Sequence, residues 1–453
     1  MRDLTQGAIW RHLVGMAMFI AAGLIVQTLY MLIDLYFVAG LGKQAMAGVA
    51  SAGSAMFITM SIAQLVGVGS LSLVSHAVGR KDQADAQLVF EQALSLSLLI
   101  AVVFLAVGYG MGSWAVSRIA ADIQTADFAR TYLFYYLPAL ATMFPGAAMG
   151  SALRASGVVG IPMMLQSGTV VLNAILAPVL IMGWGTGYPL GVTGAGLASS
   201  IAAVLGMVAL AVMFNRSQGY MHLHSSLHPR LEVWKRITAI GLPATGEFAL
   251  IFITTAVAYW SIRGFGPQAQ AGYGIGARMM QAIFLPAMAI AFATGPIAGQ
   301  NFGARQAQRV RDTFRHAAVM GGGIMLVLTL LCQISPRLLV APFSTDPAVI
   351  DVAAEFLRIA SWNFVAVGLT FCCSGMFQAL GDTKPALLSS GSRLVTYVVP
   401  AVWLAGQPWA SLRDFWYLSV ASITVQALFS WLLLRRQLHH KLKLFGADQV
   451  SAS

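Results

Sequence analysis

Long apolar stretches alternate with short polar segments from one end of the chain to the other. As a helix, each stretch is long enough to cross a hydrocarbon core about 30 Å thick. In lipid, only helices or closed barrels satisfy their own backbones, and these stretches are too long and continuous for barrel strands. The pattern therefore predicts an all-α integral membrane protein with twelve transmembrane helices. The predicted spans are 13–39, 45–73, 88–112, 131–153, 160–184, 189–214, 237–262, 270–299, 314–335, 354–380, 386–406 and 412–434.

The two halves of the chain resemble each other at a constant offset of 224 residues. GLGKQAMAG at 40–48 aligns with GFGPQAQAG at 264–272, and two further pairs of segments align at the same offset without gaps. Three matches at one offset indicate a duplicated six-helix unit. Because six is even, both copies enter the membrane from the same side, and the repeats are parallel.

This repeat predicts four parts along the chain. They are an N-terminal six-helix lobe at 1–214, a linker at 215–236, a C-terminal six-helix lobe at 237–434 and a tail at 435–453. Most of the 27 Lys and Arg residues fall on one side of the predicted topology. Positive residues concentrate in cytoplasmic loops, so we expect both termini, the linker and the tail in the cytoplasm.

Composition agrees with a membrane protein and excludes several other classes. Residues are 58% hydrophobic and only 9% charged, too few charges to cover the surface of a soluble protein. The net charge of +11 lies in short loops between spans, which indicates membrane orientation and not nucleic-acid binding. The three cysteines lie inside apolar spans without the spacing of a metal site or a disulfide framework. We expect no metal and no cofactor.

Asp34 in helix 1 is the first candidate for function. Charge inside a membrane is costly, so an acid within a span is a functional hint by default. Gln27, Tyr30 and Asp34 follow i, i+3, i+7 spacing and share one helix face. A polar stripe that ends in a carboxylate is suited to the wall of a cavity for a cation or a proton. The alternative is a structural acid that hydrogen-bonds to neighbouring helices.

Glu247 in helix 7 is the second deep acid. It follows the predicted start of its span by ten residues, hence about 15 Å, which places it near the membrane midplane. Arg278 in helix 8 approaches a similar depth from the other side, and we take it as the deep base. Glu247 is then either a partner that neutralises Arg278 or a titratable site that exchanges a proton and a cationic substrate. Asn173 in helix 5 is a buried amide that must find partners.

Several motifs together resemble the multidrug and toxic compound extrusion (MATE) family over essentially the whole chain. They include GLGKQAMAG after the helix 1 acid, ALRASGVVGIPMM after helix 4, PLGVTGAGLASS opening helix 6, GLPATGE in helix 7 and FQALGDTKPA after helix 10. The resemblance is greatest to the proton-coupled bacterial and archaeal, DinF-like branch. It implies a V-shaped pair of six-helix lobes that export organic cations against entry of protons or sodium.

The resemblance also implies roles for single residues. Asp34 matches the helix 1 acid common to the family. Three residues match polar cavity positions of the proton-coupled branch: Gln27, Tyr30 and Asn173. In the NorM-like branch, an acid in helix 7 and one in helix 10 would fall one turn later than Glu247 and Asn363 of this chain. A sodium site of that type is therefore not expected, and we favour protons, with sodium as the alternative.

From these observations we expect a secondary antiporter of the bacterial inner membrane. Its cargo would be cationic or amphipathic small molecules, and it would work as a monomer in contact with membrane lipid. One alternative is a flippase for lipid-linked or amphipathic lipids, built on the same architecture. That function would need a strongly basic cavity, whereas we place two acids and one arginine deep in the spans. We do not expect an enzyme, because no constellation of nucleophile, base and metal is present.

Overall fold

The computed structural model describes residues 3–119, 122–216, 221–223 and 228–450. Parts of the predicted linker, including His224 and Ser225, lie outside these residues. Some side chains inside helices are also outside the description, among them that of Asp34.

The described chain is all-α, without a strand in the ranges given above. The helices are α1 Ile9–Ala39, α2 Lys43–Gly79, α3 Gln83–Ile119, α4 Ile123–Ala155, α5 Gly160–Met182, α6 Val192–Arg216, α7 Leu231–Ser261, α8 Pro267–Ile283, α9 Leu285–Gly303, α10 Ala307–Ile334, α11 Pro336–Val340, α12 Pro347–Ala360, α13 Phe364–Ala379, α14 Lys384–Arg393, α15 Val399–Ala405 and α16 Leu412–Val450. Short 3₁₀ turns lie at Arg263–Phe265, Ala341–Phe343 and Ser361–Asn363, and a π-helix at Leu394–Val398 joins α14 to α15.

Apart from the short α11, these helices account for the twelve predicted spans: α8 with α9, α12 with α13 and α14 with α15 each make up one span, and every other helix corresponds to a span by itself. Ten helical segments of the described chain are long and apolar enough to cross a membrane, and α8 with α9 adds an eleventh that is bent by 42°. The remaining helix, α4, is interrupted by Pro138 and Pro145. The prediction of an all-α membrane fold is confirmed.

The internal repeat is visible in the backbone at the offset read from the sequence. Helices α2 and α8 begin at Lys43 and Pro267, which are 224 residues apart. Left-handed backbone conformations recur in pairs at the same offset: Gly42 with Gly266, Lys81 with Arg305, and Gly157 with Gly381. The second and third pairs end helices by the same pattern of backbone hydrogen bonds. The duplicated unit therefore conserves its turns more strictly than its side chains.

The chain divides into two compact units by its internal contacts. Unit 1 comprises residues 1–3 and 22–241, and unit 2 comprises residues 4–21 and 242–453. The division differs from the predicted lobes of 1–214 and 237–434, because the first parts of α1 and α7 each pack with the helices of the opposite half. The start of the chain is bonded within unit 2: the Leu4 amide donates to Gln300 Oε1 at 3.0 Å.

Helix α4 forms the centre of unit 1, where it packs against α2, α3 and α6. A proline inside a helix breaks the ladder of backbone hydrogen bonds and kinks the helix. The Ser200 hydroxyl of α6 donates to the Tyr135 carbonyl at 2.5 Å. It also accepts a hydrogen bond, at 3.2 Å, from the amide of Ala139, the residue that follows Pro138. The hydroxyl thus stands in the gap that the proline opens. In unit 2, α13 has the corresponding central place, packed against α9, α10 and α16.

Helix α2 and the first part of α7 are in close contact at Gly241. We therefore expect that this position does not tolerate an added methyl group. A Cβ at Gly241 would lie 1.8 Å from the Leu65 carbonyl oxygen, so α7 would have to move. We expect Gly241→Ala to destabilise the protein by about 1–3 kcal/mol, as overpacked cores do. Thermal unfolding of the detergent-purified protein measures the effect.

Gly322→Ala is the matched control, because Gly322 is also helical and nothing lies within 4 Å of the Cβ that it would gain. That variant should be neutral or slightly stabilised, since alanine is the better helix former. Equal melting temperatures for the two variants would show that α2 and α7 do not approach this closely.

Candidate functional site

Glu247 lies in the middle of α7 and is the centre of a polar cluster in unit 2. The Ser374 hydroxyl of α13 lies 3.3 and 3.2 Å from the two carboxylate oxygens and donates to them. The Ser390 hydroxyl of α14 also hydrogen-bonds this carboxylate. Glu247 itself is half-buried. Three helices thus converge on one acid.

A chain of hydroxyl and amide groups extends from this cluster toward α16. Gln426 Nε2 donates to Ser390 Oγ at 3.3 Å. The neighbouring Ser389 hydroxyl is hydrogen-bonded to Ser430 and donates to the Gln426 carbonyl at 3.4 Å. All four of these residues are buried. Buried polar groups in such a chain orient one another, and here they hold the hydroxyl that faces Glu247.

The pair of Glu247 with Arg278, one of the two alternatives for Glu247, is not formed. Among the described side chains, no ion pair joins Glu247 to any base, and Arg278 is exposed on α8. The buried face of α8 carries Gly272 and Gly276, whose missing side chains leave room for α12. Arg278 follows Gly276 by two residues, about 200° around the helix, and so points away from that packed face.

Another base within the spans, Arg393, was not among the predicted site residues. It lies inside the predicted span 386–406 and is the last residue of α14, so Arg278 is not the only arginine within the spans. Its Nε is buried and has no hydrogen-bond acceptor among the described residues. Its position in an apolar run was the signal that could have identified it.

In unit 1, the structure brings two of the predicted cavity residues together. Tyr30 of α1 donates its hydroxyl hydrogen to Ser199 Oγ at 2.8 Å, and Asn173 Nδ2 of α5 donates to the same oxygen at 3.3 Å. Asn173 is fully buried, and its Oδ1 has no hydrogen-bond partner among the described residues. Asn173 Oδ1 is therefore an acceptor without a described donor, close to the polar face of helix α1 that carries Tyr30. Ser199 lies at the end of the motif PLGVTGAGLASS, but nothing in the motif indicates that this serine contacts α1 and α5.

The other predicted site residues lie apart from these contacts or outside the description. Asp34 is one turn after Tyr30 within α1, and its side chain is outside the described part of the structure. Gln27 is half-buried on the same helix. Asn363 is fully buried in the 3₁₀ turn between α12 and α13, where neither its Oδ1 nor its Nδ2 is hydrogen-bonded within the described structure.

The two clusters differ in chemistry. The unit 2 cluster offers one carboxylate with two hydroxyl groups, a set of oxygens that can hold a proton or bind a cation. The unit 1 cluster offers a tyrosine hydroxyl and an amide oxygen on neighbouring helices. Among the described residues, no group of three or more His, Cys, Asp and Glu residues could hold a metal ion.

A family model and several known proteins match this chain. The family model MatE matches residues 20–179 and 243–403, once in each half. The multidrug export protein MepA of Staphylococcus haemolyticus is 24% identical over 421 residues, which are 92% of this chain and 91% of that protein. MepA of Staphylococcus aureus strain MRSA252 is 24% identical over 405 residues, 88% of each chain.

Solved structures show the same fold. An outward-facing conformation of a multidrug resistance MATE family transporter of the MOP superfamily superposes with a TM-score of 0.90 at 22% identity. The match covers 97% of this chain and 98% of that chain. A MATE crystal structure in the bent conformation superposes with a TM-score of 0.91, also at 22% identity, over 98% of both chains.

The unit 1 cluster predicts a specific loss of stability in Ser199→Ala. Without the Ser199 oxygen, neither side-chain amide atom of Asn173 would have a partner among the described groups, and Tyr30 would lose one bond. A buried polar group without a partner costs about 1–3 kcal/mol. We expect a lower melting temperature by that amount in thermal unfolding of the purified protein.

Ser167→Ala is the control, because the Ser167 hydroxyl donates only to a carbonyl of its own helix, that of Met163 at 2.9 Å. It should unfold close to wild type. If both variants lose the same stability, Ser199 does not link α1 to α5.

Proposed function

The chain belongs to the MATE family, and from that premise we propose that it is a secondary active antiporter that exports cationic and amphipathic small molecules in exchange for protons. The observation that carries the proposal is the Glu247 carboxylate. It lies in the middle of a membrane helix, contacts two serine hydroxyls and has no basic partner among the described side chains. The similarity to the MepA relatives, which are multidrug export proteins, supports the choice of cargo.

The physical argument starts from the cost of charge in a membrane. An ionised carboxylate there must be hydrogen-bonded and paired, or it takes up a proton. Two hydroxyl donors offset part of the free-energy cost of desolvating the Glu247 carboxylate. They do not supply a counterion for its charge. The carboxylate then binds either a proton or a cationic substrate, and one excludes the other. Competition of this kind couples export of the substrate to entry of the proton, provided that the site opens to each side in turn.

Asp34 is the proposed second coupling acid, in unit 1. It follows Tyr30 by four residues on α1, and residues at this spacing are neighbours on a helix. Tyr30 hydrogen-bonds to Ser199, which also binds Asn173, so the helix face that carries Asp34 borders a polar cluster. This arrangement supports a role for Asp34 in coupling rather than in packing against apolar neighbours.

Protons are the proposed coupling ion, with sodium as the less favoured choice. A hard metal cation requires several oxygen ligands, commonly six or more for the larger ions. Glu247 supplies two carboxylate oxygens, and among the described side chains two hydroxyls are placed beside them. A proton needs one oxygen and fits this set better. We further propose a monomer in the bacterial cytoplasmic membrane with both termini in the cytoplasm.

The test of the proposed function is transport of ethidium by the purified protein in liposomes under an imposed proton or sodium gradient. In the wild-type protein, an imposed proton gradient should drive ethidium transport in the absence of sodium. Glu247→Gln and Asp34→Asn should each lower this gradient-driven flux at least tenfold, because an amide retains the shape and loses the titratable proton. Efficient scrambling of lipid without movement of ethidium would instead favour the flippase.

Glu232→Gln provides the matched control, since Glu232 is exposed in the first turn of the same helix α7. It should transport as wild type does. Undiminished, proton-driven flux in Glu247→Gln would remove Glu247 from the coupling mechanism, and the same result in Asp34→Asn would remove Asp34.

The proposed topology has its own test at the linker. A cysteine introduced as Ser225→Cys, in a variant whose three native cysteines are replaced by alanine, should resist a membrane-impermeant maleimide in intact cells. It should react after the cells are opened. Labelling in intact cells would place the linker outside and reverse the orientation.

A further inference from the structure

A groove with basic charges opens at one end of unit 2, between helices α10 and α16. Its volume is about 610 Å³, within the range of about 300–1,000 Å³ that is typical of small-molecule sites. Arg311 of α10 lines it together with Arg435, Arg436 and His439 of α16. No acid is among the described residues that line the groove, so its charge is positive.

The three arginines of the groove are not neutralised within the protein. None of them has a hydrogen-bond acceptor or an ion-pair partner among the described side chains. Arg309, two residues before Arg311, differs from them. Its guanidinium donates to Asn301 Oδ1 and to the carbonyls of Leu4 and Gly7, so it is occupied in holding the start of the chain.

Arginines at the opposite end of the same helices do have acidic partners. At the start of α16, Arg413 donates to Glu355 at 2.5 Å. Just after α10, Arg337 lies 2.6 Å from Asp351. The fold therefore pairs its exposed arginines at one end of these helices and leaves those of the groove available at the other.

The groove lies at the depth where the protein leaves the hydrocarbon core. Arg435 is 23 residues after Leu412, hence about 35 Å along α16, just beyond a core about 30 Å thick. Arg311 is four residues, about 6 Å, from the start of α10 at Ala307. Tryptophan is enriched at this boundary, and Trp431 lies one turn deeper than Arg435, with its ring centroid 5.7 Å from the guanidinium carbon.

Basic and apolar residues follow one order on both helices. Each arginine lies outward of an apolar residue three or four positions away, and residues at this spacing are neighbours on one helix face. The three pairs are Arg311 with Phe314, Arg435 with Trp431, and Arg436 with Leu432. Leu434, which is fully buried, and Leu438 complete the apolar lining. The groove thus matches an amphiphile with an anionic head.

The surface of α16 continues the apolar lining into the membrane. Val425, Leu428 and Leu432 follow i, i+3, i+7 spacing, and all three are exposed. An acyl chain can lie along this face while its headgroup occupies the groove. A soluble phosphate compound would use the arginines and leave the apolar lining in contact with water, so these observations favour a lipid.

We propose that this groove binds the phosphodiester headgroup of an anionic membrane phospholipid. Arg311, Arg435 and Arg436 contact the phosphate, for which the planar guanidinium is the better matched of the two basic side chains. Basic pockets between membrane helices bind anionic headgroups in this way on the cytoplasmic side, where the proposed topology places the groove. The site does not depend on the proposed transport function, because none of its residues belongs to the Glu247 cluster.

Native mass spectrometry of the purified full-length protein tests the site. Phosphatidylglycerol or phosphatidylcholine with the same acyl chains is added in detergent, and the bound lipid is counted from the mass. Wild type should bind one phosphatidylglycerol at least about tenfold more tightly than phosphatidylcholine. Arg311→Gln/Arg435→Gln should weaken binding of phosphatidylglycerol at least about tenfold and leave that of phosphatidylcholine unchanged, since each arginine contributes to attraction of the anionic head alone.

Arg315→Gln/Lys443→Gln is the matched control. Both residues are exposed near the same ends of α10 and α16, and neither lines the groove. This variant also loses two positive charges, yet it should retain the wild-type affinity for phosphatidylglycerol. An equal loss in the two double variants would show general attraction of anionic lipid to a basic surface, and the proposed site would be wrong.

Two further measurements decide the question even if the groove double variant fails to fold. Arg436→Gln, a single change of an exposed side chain, should weaken binding of phosphatidylglycerol about fivefold. Glycerol 3-phosphate, which has the phosphate and no acyl chain, should not displace the lipid from wild type. Displacement would identify a soluble phosphate compound as the occupant, and equal affinity of wild type for the two lipids would remove the anion site.

Discussion

A polar group in the hydrocarbon core of a membrane has no water to bind, so it must find its partner inside the protein. The structure follows this constraint in its backbone and in its side chains. Where Pro138 breaks the ladder of α4, a serine hydroxyl from α6 contacts the backbone groups beside the break. Many hydroxyls of the spans, such as Thr254 on α7, donate to carbonyls of their own helix. The few polar side chains that are left without such partners are therefore informative.

Some of those exceptions lie where we locate function, and others, such as Ser72 Oγ and Trp234 Nε1, do not. Asn173 retains an unused acceptor in unit 1, and Arg393 and Trp416 retain unused donors in unit 2. Glu247 has hydroxyl partners and no counterion among the described side chains. A transporter needs such groups, because a ligand that is to leave again must find partners that the protein does not already occupy. A polar group satisfied entirely within the protein has nothing to offer a substrate.

The two repeats share their backbone and differ in their chemistry. Glycines and helix starts recur at the 224-residue offset, since a turn with a left-handed conformation admits few residues. The acids do not recur: Asp34 aligns with Ala258, and Glu247 with Gly23. Gly23 lies where a Cβ would meet the Met163 sulfur at 2.1 Å, so a side chain at that position of unit 1 would require Met163 to move. Duplication preserved a scaffold, and each half acquired its own polar cluster.

The sequence by itself determined the membrane fold, the number of spans and the parallel repeat, because these depend on apolar length, helical period and turn residues that are read locally. It also identified Glu247, Tyr30 and Asn173 as polar residues within spans. Only the tertiary structure decided which residues meet. Ser199, Ser374 and Ser390 became partners of these groups through helix packing, for which a serine in the sequence gives no signal.

The same distinction explains the corrections. A pairing of Glu247 with Arg278 agreed with depth along the helices, but depth does not give the direction in which a side chain points. The packing of Gly272 and Gly276 against α12 rotates Arg278 away, and Arg393 instead lies one turn from the serine that binds Glu247. The boundary between the compact units fell inside α1 and α7 for a related reason. The length of a helix can be predicted from the sequence. Which helices lie beside each half of it is decided only when all the helices pack.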